Sequence, residues 1–365
     1  MIHTNKELVI FMPSIEDGGV EKNLFNITNY ISKKNVKVNL ITSNKNKKNF
    51  FDKKVNYICP KFNFLNIKFK RLNILSCIYL LFAHFVLKKK KIIILSFQAN
   101  IYSLIFSKFF SIKIIVRSNT SLSGWNKNFF KKNIIKYFYK RADKIIVNSA
   151  FFKREMDKEM NINSKLIYNP LDANIIFNKS KKKINFNFYK PNTLNLINIA
   201  RLSDQKDHYT ILKAINLIKE KIKLRLLIIG KGKEFSNLKN YTKKNNLNKI
   251  VKYLGYKKNP YPYLKKSDVF ILSSKFEGLP NVLLEAAHFK KYIISSDCPT
   301  GPKEILKDYR FGSLFKIGDY KKLSQLILNY YFKVNKTNNF SNSTMNKFNF
   351  RNNCESYFKI VKSFL

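Results

Sequence analysis

Leu196 to Gly230 reads LINIARLSDQKDHYTILKAINLIKEKIKLRLLIIG: an apolar run, a polar loop, a helical stretch and a second apolar run. Two strands joined through one helix make a βαβ unit. The pattern continues with strands expected at VKYLG, VFILSS and YIISSD, and helices near 207–221, 234–246, 259–267 and 280–290. Upstream, residues 7–172 repeat it through ELVIFMP, VNLITS, VNYICP, IIILSF, KIIVRSN, KIIVNS and KLIYNP. The expected fold class is therefore α/β, with two doubly wound Rossmann-like domains in tandem, facing across a cleft between the carboxyl ends of their sheets. Boundaries are expected at 1–172 for the first domain, 173–191 for a Lys- and Asn-rich linker, and 192–346 for the second domain. A helix in 347–365 is expected to pack back on the first.

The 365 residues carry 70 Lys+Arg against 22 Asp+Glu, a formal charge of +48, with 45% apolar content. That apolar fraction is core-forming and excludes a disordered basic tail. Only eight of the cations are Arg, at 71, 117, 141, 154, 201, 225, 310 and 351. Nucleic-acid readers favour Arg for bidentate contacts, so evenly spread Lys argues for an anionic membrane surface or phosphorylated substrates, and against nucleic acid. Cys59, Cys77, Cys298 and Cys354 have neither CxxC pairing nor a nearby His at ligand spacing, which suggests neither a zinc site nor a disulfide framework and fits a reducing cytoplasm. The opening MIHTNKELVIFMP enters a strand pattern directly, without the order of a secretory signal, so the mature chain is expected to start here.

Two segments have the composition of membrane contacts. Leu72–Leu87 is 16 residues, about 24 Å as a helix against a hydrocarbon core of about 30 Å, so it is too short to span. It reads as a half-buried helix leading into the strand at 92–97, with an interfacial helix as the alternative. Asn126–Arg141 places Phe130, Ile134, Tyr137 and Phe138 on one face and Lys127, Lys131, Lys132, Lys136, Lys140 and Arg141 around them. It suits either a headgroup boundary or the cover of a sheet.

No GxxxxGK[ST] is present, and the turn at Gly230 and Gly232 lacks the third glycine of a dinucleotide fingerprint, so NTPase and dehydrogenase chemistry fall away. There is no Asp-x-Asp to clamp a diphosphate through a divalent metal, so no metal and no cofactor is expected. Arg201 and Lys206, in the loop after the second domain's first strand, supply a metal-free diphosphate clamp. In SSKFEGLPNVLLE (Ser273–Glu285) a strand ends, Glu277 and Gly278 form a loop, and Pro280 opens a helix carrying Glu285. Free N–H groups at such a helix start bind hydroxyls or phosphate. At helical rise the two carboxylates are separated by roughly 10 Å, enough to hold two ends of one ligand. The alternative is structural, with Glu277 capping the helix and Glu285 paired with Arg201 or Lys206.

EGLPNVLLEA, preceded by Arg201 and Lys206 and followed by SSDCPTGPKEIL, resembles the family 4 retaining glycosyltransferases of GT-B fold, and the likeness runs from PSIEDGGVEKN to the C-terminal helix. The resemblance implies that Arg201 and Lys206 hold the donor diphosphate, Glu285 the donor ribose, and Glu277 the transferred sugar. The backbone of Gly278, Leu279, Pro280 and Asn281 would bind sugar hydroxyls and the distal phosphate, and Gly230 and Gly232 would lie near the base. Gly18 and Gly19, with Arg117 and Asn119, would serve the acceptor or leaving-group side. Many relatives carry a His where VRSNTS stands here, so no side-chain base is expected. The family mechanism lets the departing phosphate take the acceptor proton, with retention. The implied reaction moves a sugar, N-acetylhexosamine such as N-acetylgalactosamine, from a UDP-sugar onto a polyprenyl-diphosphate-linked or other membrane glycan precursor. The enzyme would be peripheral on the inner face of the cytoplasmic membrane. Hexosyl transfer to a lipopolysaccharide core or capsule saccharide is the alternative, and a basic nucleic-acid-binding protein the distant one.

Overall fold

The computed structural model describes residues 6–16, 18–60, 70–119, 129–306, 312–332 and 343–365. They fall into two compact units, one within Met1–Pro170 with Phe348–Leu365 and one within Leu171–Lys347.

The first unit runs β1 (Glu7–Phe11), α1 (Gly19–Ile31), β2 (Val38–Ile41), β3 (Asn56–Ile58), α2 (Lys70–Leu81), β4 (Ile92–Ser96), α3 (Asn100–Phe109), β5 (Lys113–Ser118), α4 (Phe129–Tyr139), β6 (Lys144–Val147), α5 (Ala150–Arg154) and β7 (Ser164–Leu166). Its strands pair in parallel in the order β3-β2-β1-β4-β5-β6-β7. Parallel sheets are covered on both faces, which is why these strands read as unbroken apolar runs. Val9, Phe11, Ile94, Val116 and Val147 meet Cys77, Leu104, Ile135 and Phe152 of α2 to α5. On the other face Ile10, Leu95, Ile115 and Ile146 meet Leu24 and Ile27 of α1 and Cys354, Tyr357 and Val361 of the C-terminal helix, Phe350–Lys362. Each such buried side chain is worth about 1.5–3 kcal/mol. The stretch expected at 72–87 is α2 followed by a π-helical turn, Phe82–Val86. Of the stretch expected at 126–141, residues 126–128 lie outside the described residues, as do the side chains of Phe130, Lys131 and Lys132.

The second unit runs α6 (Ala173–Ser180), β8 (Leu194–Ile199), α7 (His208–Ile218), β9 (Leu224–Ile229), α8 (Phe235–Lys244), β10 (Val251–Tyr253), α9 (Tyr261–Lys266), β11 (Val269–Leu272), α10 (Asn281–His288), β12 (Tyr292–Ser296), α11 (Pro302–Leu306), β13 (Gly312–Phe315) and α12 (Tyr320–Phe332). Its parallel sheet has the order β10-β9-β8-β11-β12-β13. The expected linker at 173–191 is corrected here: the segment belongs to this unit. Asp172 caps α6 by accepting from the Ile175 N–H at 2.9 Å, and α6 packs against α9. Phe186 meets the rings of Phe188, Tyr189 and Tyr263, while the Tyr189 hydroxyl donates to the Leu196 carbonyl at 3.1 Å. These scattered aromatics, hidden among lysines, pin the segment down.

Candidate functional site

In the second sheet the strand order reverses between β8 and β11, which pair side by side. The loops leaving two such strands diverge to opposite sides and open a crevice at their carboxyl ends. Arg201 and Lys206 follow β8; Glu277 and the start of α10 follow β11. Buried Asn198 holds the junction, donating to the Ile271 carbonyl at 2.9 Å and accepting from the His208 ring at 3.0 Å.

The two loops are stitched together. Lys206 Nζ lies 2.5 Å from Glu277 Oε1, with side chains 19% and 8% exposed. Ser274 Oγ donates to the same carboxylate oxygen at 2.6 Å. Gln205 Nε2 donates to the Phe276 carbonyl at 2.9 Å, the Lys275 N–H to the Gln205 carbonyl at 2.8 Å, and Ser273 Oγ to the Lys206 carbonyl at 2.8 Å. Lys206 itself is presented by a short 3₁₀ turn, Asp204–Lys206, after which Asp207 takes a left-handed φ of 43° and caps α7 through Thr210. Arg201 is exposed at the end of β8. Glu277 thus pairs with a cation instead of capping α10, which has no side-chain cap.

Behind this loop lies a second one. Thr300 Oγ1 donates to the Glu277 carbonyl and, at 3.1 Å, to that of Gly278. Thr300 and Gly301 both have positive φ, 72° and 63°; a side chain on Gly301 would strike the Gly278 carbonyl at 2.3 Å and Pro280 at 2.4 Å. A β-branched residue in that region is strained, so the hydrogen bonds to the Glu277 loop are what hold it. Pro280, expected as the first helical residue, is instead the N-cap, with an extended ψ of 105°, and α10 begins at Asn281. Leu279 is buried.

Glu285 is 2% exposed and receives the Tyr261 hydroxyl at 3.4 Å, so its carboxylate is held by α9 as well as α10. Gly230 and Gly232 serve close approach. A Cβ there would lie 1.8 Å from the Ala200 carbonyl and 2.1 Å from that of Leu202, so only glycine lets this turn run against the loop that carries Arg201. Ser274, Thr300, Gly301 and Tyr261 were not singled out from sequence. Ser274 stands inside SSKFEGLPNVLLE and Thr300 and Gly301 inside SSDCPTGPKEIL, and that neighbourhood is their only signal in the sequence.

The first-unit residues fare differently. Arg117 is corrected: it is fully buried and lies on no acceptor surface. It shares the sheet face of Ile115, two residues earlier, and so points at the C-terminal helix. Its Nε donates to the Tyr357 hydroxyl at 2.9 Å and its Nη2 to Asn169 Oδ1 at 2.8 Å, over the Phe97 ring. Asn119 is half-buried and donates to the Phe97 carbonyl at 2.9 Å. Gly18 is the N-cap of α1 and Gly19 its first residue, but the Glu21 carboxylate folds back over this turn. It would lie 2.7 Å from a Cβ on Gly18, and it accepts from the Glu16 N–H at 3.2 Å. A phosphate at this helix start must displace that carboxylate.

His208 is buried, and its pKa is lowered to about 4 by desolvation, with the Lys206 charge adding to the effect. The unfolded chain then takes up a proton near the ordinary value of 6.5 while the folded chain does not. Stability is full above that value and lost as pH falls toward 4, by up to about 3 kcal/mol. His208→Gln is expected to flatten this acid limb in thermal melts of the two proteins between those pH values; parallel limbs would refute it.

Residues 179–346 match the family described as Glycosyl transferases group 1, and residues 17–175 match Glycosyltransferase Family 4. An uncharacterized glycosyltransferase of Methanocaldococcus jannaschii is 34% identical over 198 residues, 52% of this chain and 48% of the relative. The Campylobacter jejuni N-acetylgalactosamine-N,N'-diacetylbacillosaminyl-diphospho-undecaprenol 4-alpha-N-acetylgalactosaminyltransferase is 28% identical over 197 residues, 53% and 52% of the two chains. The matched stretch is thus about half the length of these curated relatives. Among solved structures, Anabaena Alr3699/HepE in complex with UDP and glucose superposes with a TM-score of 0.81 at 16% identity, covering 98% of this chain and 99% of the other. The lipopolysaccharide outer core galactosyltransferase WaaB gives 0.70 at 19% identity, covering 99% and 100%. Two parallel α/β sheets and these neighbours give the chain the GT-B fold, and its two halves match two glycosyltransferase families in succession.

Proposed function

We propose that the chain transfers a sugar with retention, without a metal, from a UDP-sugar to a membrane glycan precursor. The observation that carries this is the Lys206–Glu277 pair at the crossover of the second sheet, beside the uncapped start of α10. An arriving diphosphate competes for Lys206 and, with exposed Arg201, gives the ammonium a second anionic partner. Glu277 is then released toward the sugar, with Ser274 and Thr300 fixing its loop. Glu285 holds the ribose. The departing phosphate takes the acceptor proton on the face the sugar leaves. Binding of UDP by a structural neighbour and the polyprenyl-linked acceptor in the name of the Campylobacter relative support donor and acceptor, with N-acetylhexosamine as the sugar favoured. The Escherichia coli lipopolysaccharide 1,6-galactosyltransferase, 29% identical over 110 residues, supports hexosyl transfer to a lipopolysaccharide acceptor as the second reading.

The test is a panel of UDP-sugars against polyprenyl-diphosphate glycans and lipopolysaccharide cores, read by mass spectrometry with EDTA present. Addition of one hexosamine to the lipid diphosphate is the expected result, at a rate EDTA leaves unchanged. Abolition by EDTA would defeat the Arg201–Lys206 clamp, and absence of UDP binding would defeat the donor site.

A further inference from the structure

A helix that covers a sheet normally turns polar residues to solvent. On the first unit three neighbouring helices do the opposite. Leu72, Leu75 and Tyr79 form the outward row of α2; Tyr102, Ile105 and Phe109 repeat the same spacing on α3; Ile134 and Tyr137 do so on α4. Phe109 is 82% exposed, Tyr79 67%, and Leu87, after the π-helical turn, 64%. α3 packs against both α2 and α4, so the rows are neighbours. Nine of the seventeen large apolar side chains exposed among the described residues lie in this one stretch.

The charges around these rows have one sign. From Lys53 to Ala142, ninety residues, there is no Asp or Glu, against sixteen Lys and three Arg. Lys88, Lys89 and Lys91 are exposed just beyond Leu87. At the border of α3 and α4, the Arg141 guanidinium lies 3.3 Å and the Lys108 ammonium 5.9 Å from the centre of the Tyr137 ring. Long basic side chains beside apolar ones suit a boundary where hydrocarbon gives way to anionic headgroups.

We propose that the outward face of α2, α3 and α4 is a docking surface for an anionic phospholipid bilayer. It deepens the reading above by naming the surface, and it rests on that reading only for the reason a membrane is needed. The occupant follows from charge complementarity. A second copy of this chain would bring the same acid-free, basic face against itself. No helix among the described residues is long and apolar enough to cross a membrane, so the contact is interfacial. The aromatic and aliphatic tips enter the headgroup region while the lysines meet lipid phosphates.

The test is sedimentation of the full chain with vesicles of phosphatidylcholine alone or with about a third phosphatidylglycerol. Two variants alter only exposed side chains: Leu75→Gln/Tyr79→Gln/Phe109→Gln, and Lys88→Ser/Lys89→Ser/Lys91→Ser. The wild type is expected to pellet with anionic vesicles and not with neutral ones, and each variant to lose about tenfold or more in partitioning. UDP binding should stay the same in both. Unbound wild type, or variants that bind like it, would overturn the proposal. So would a concentration-dependent dimer abolished by the first variant in a chain that ignores vesicles. Vesicle binding in a chain that fails to bind UDP would sink the donor-site reading and leave this surface standing.

Discussion

Lys206→Ala is expected to slow transfer by about 10²–10³-fold, the scale on which a single preorganised charge at a developing anion acts. The loss should appear in the rate at saturating donor, since the role proposed for Lys206 is to stabilise the leaving diphosphate. A second effect separates this lysine from an ordinary surface one. Its partner Glu277 is only 8% exposed, so removing the ammonium strands a carboxylate whose remaining side-chain donor on the same oxygen is Ser274. Breaking such a pair from one side costs about 3 kcal/mol of stability. Adding Glu277→Gln to Lys206→Ala should recover most of that stability, since the stranded charge is gone, and none of the transfer rate. Melting temperatures and single-turnover rates across the four proteins form the cycle. A double variant that regains activity would make the pair structural.

Glu285→Gln is expected to weaken UDP itself by ~1–3 kcal/mol, about fivefold to 150-fold, as a charged hydrogen bond to ribose is lost. Calorimetric titration with UDP reads this without any acceptor. Tyr261→Phe should show a smaller loss of the same kind, because that hydroxyl donates to the Glu285 carboxylate and orients it. Unchanged UDP affinity in Glu285→Gln would take the residue out of the donor site and leave it as a buried partner of α9.

The strands were readable because twelve of them are apolar runs closed by polar loops, and a parallel sheet demands that pattern. β13 was missed because GSLF is short and carries a glycine. α6, with its apolar ANIIF, was missed because the lysines and asparagines of NKSKKKINFNFYK that overlap its end make the whole segment read as solvent-facing, while Ile176 in the helix and Phe186 beyond it do the packing. At the candidate site, residue types with obvious chemistry were legible: Lys206, Glu277 and Glu285 all lie where β8 and β11 diverge. What composition hides is support from a distant loop. Thr300 acts through its hydroxyl on two carbonyls 22 and 23 residues earlier, a relation with no local periodicity. Arg117 shows the converse. A cation at a strand end looks like a phosphate ligand until strand alternation turns it inward onto Tyr357.

The position of Tyr357 has a consequence for the order of synthesis. The first unit's sheet is complete by Leu166, yet one of its faces, covered in part by α1, is not closed until Phe350–Lys362 leaves the ribosome, after the whole second unit. The part of that face around Ile115 and the Arg117 guanidinium therefore waits, unclosed, while the second unit is made. For that interval the nascent chain carries a half-covered apolar sheet face and a guanidinium without its Tyr357 partner, the surfaces a chaperone retains and an aggregate exploits.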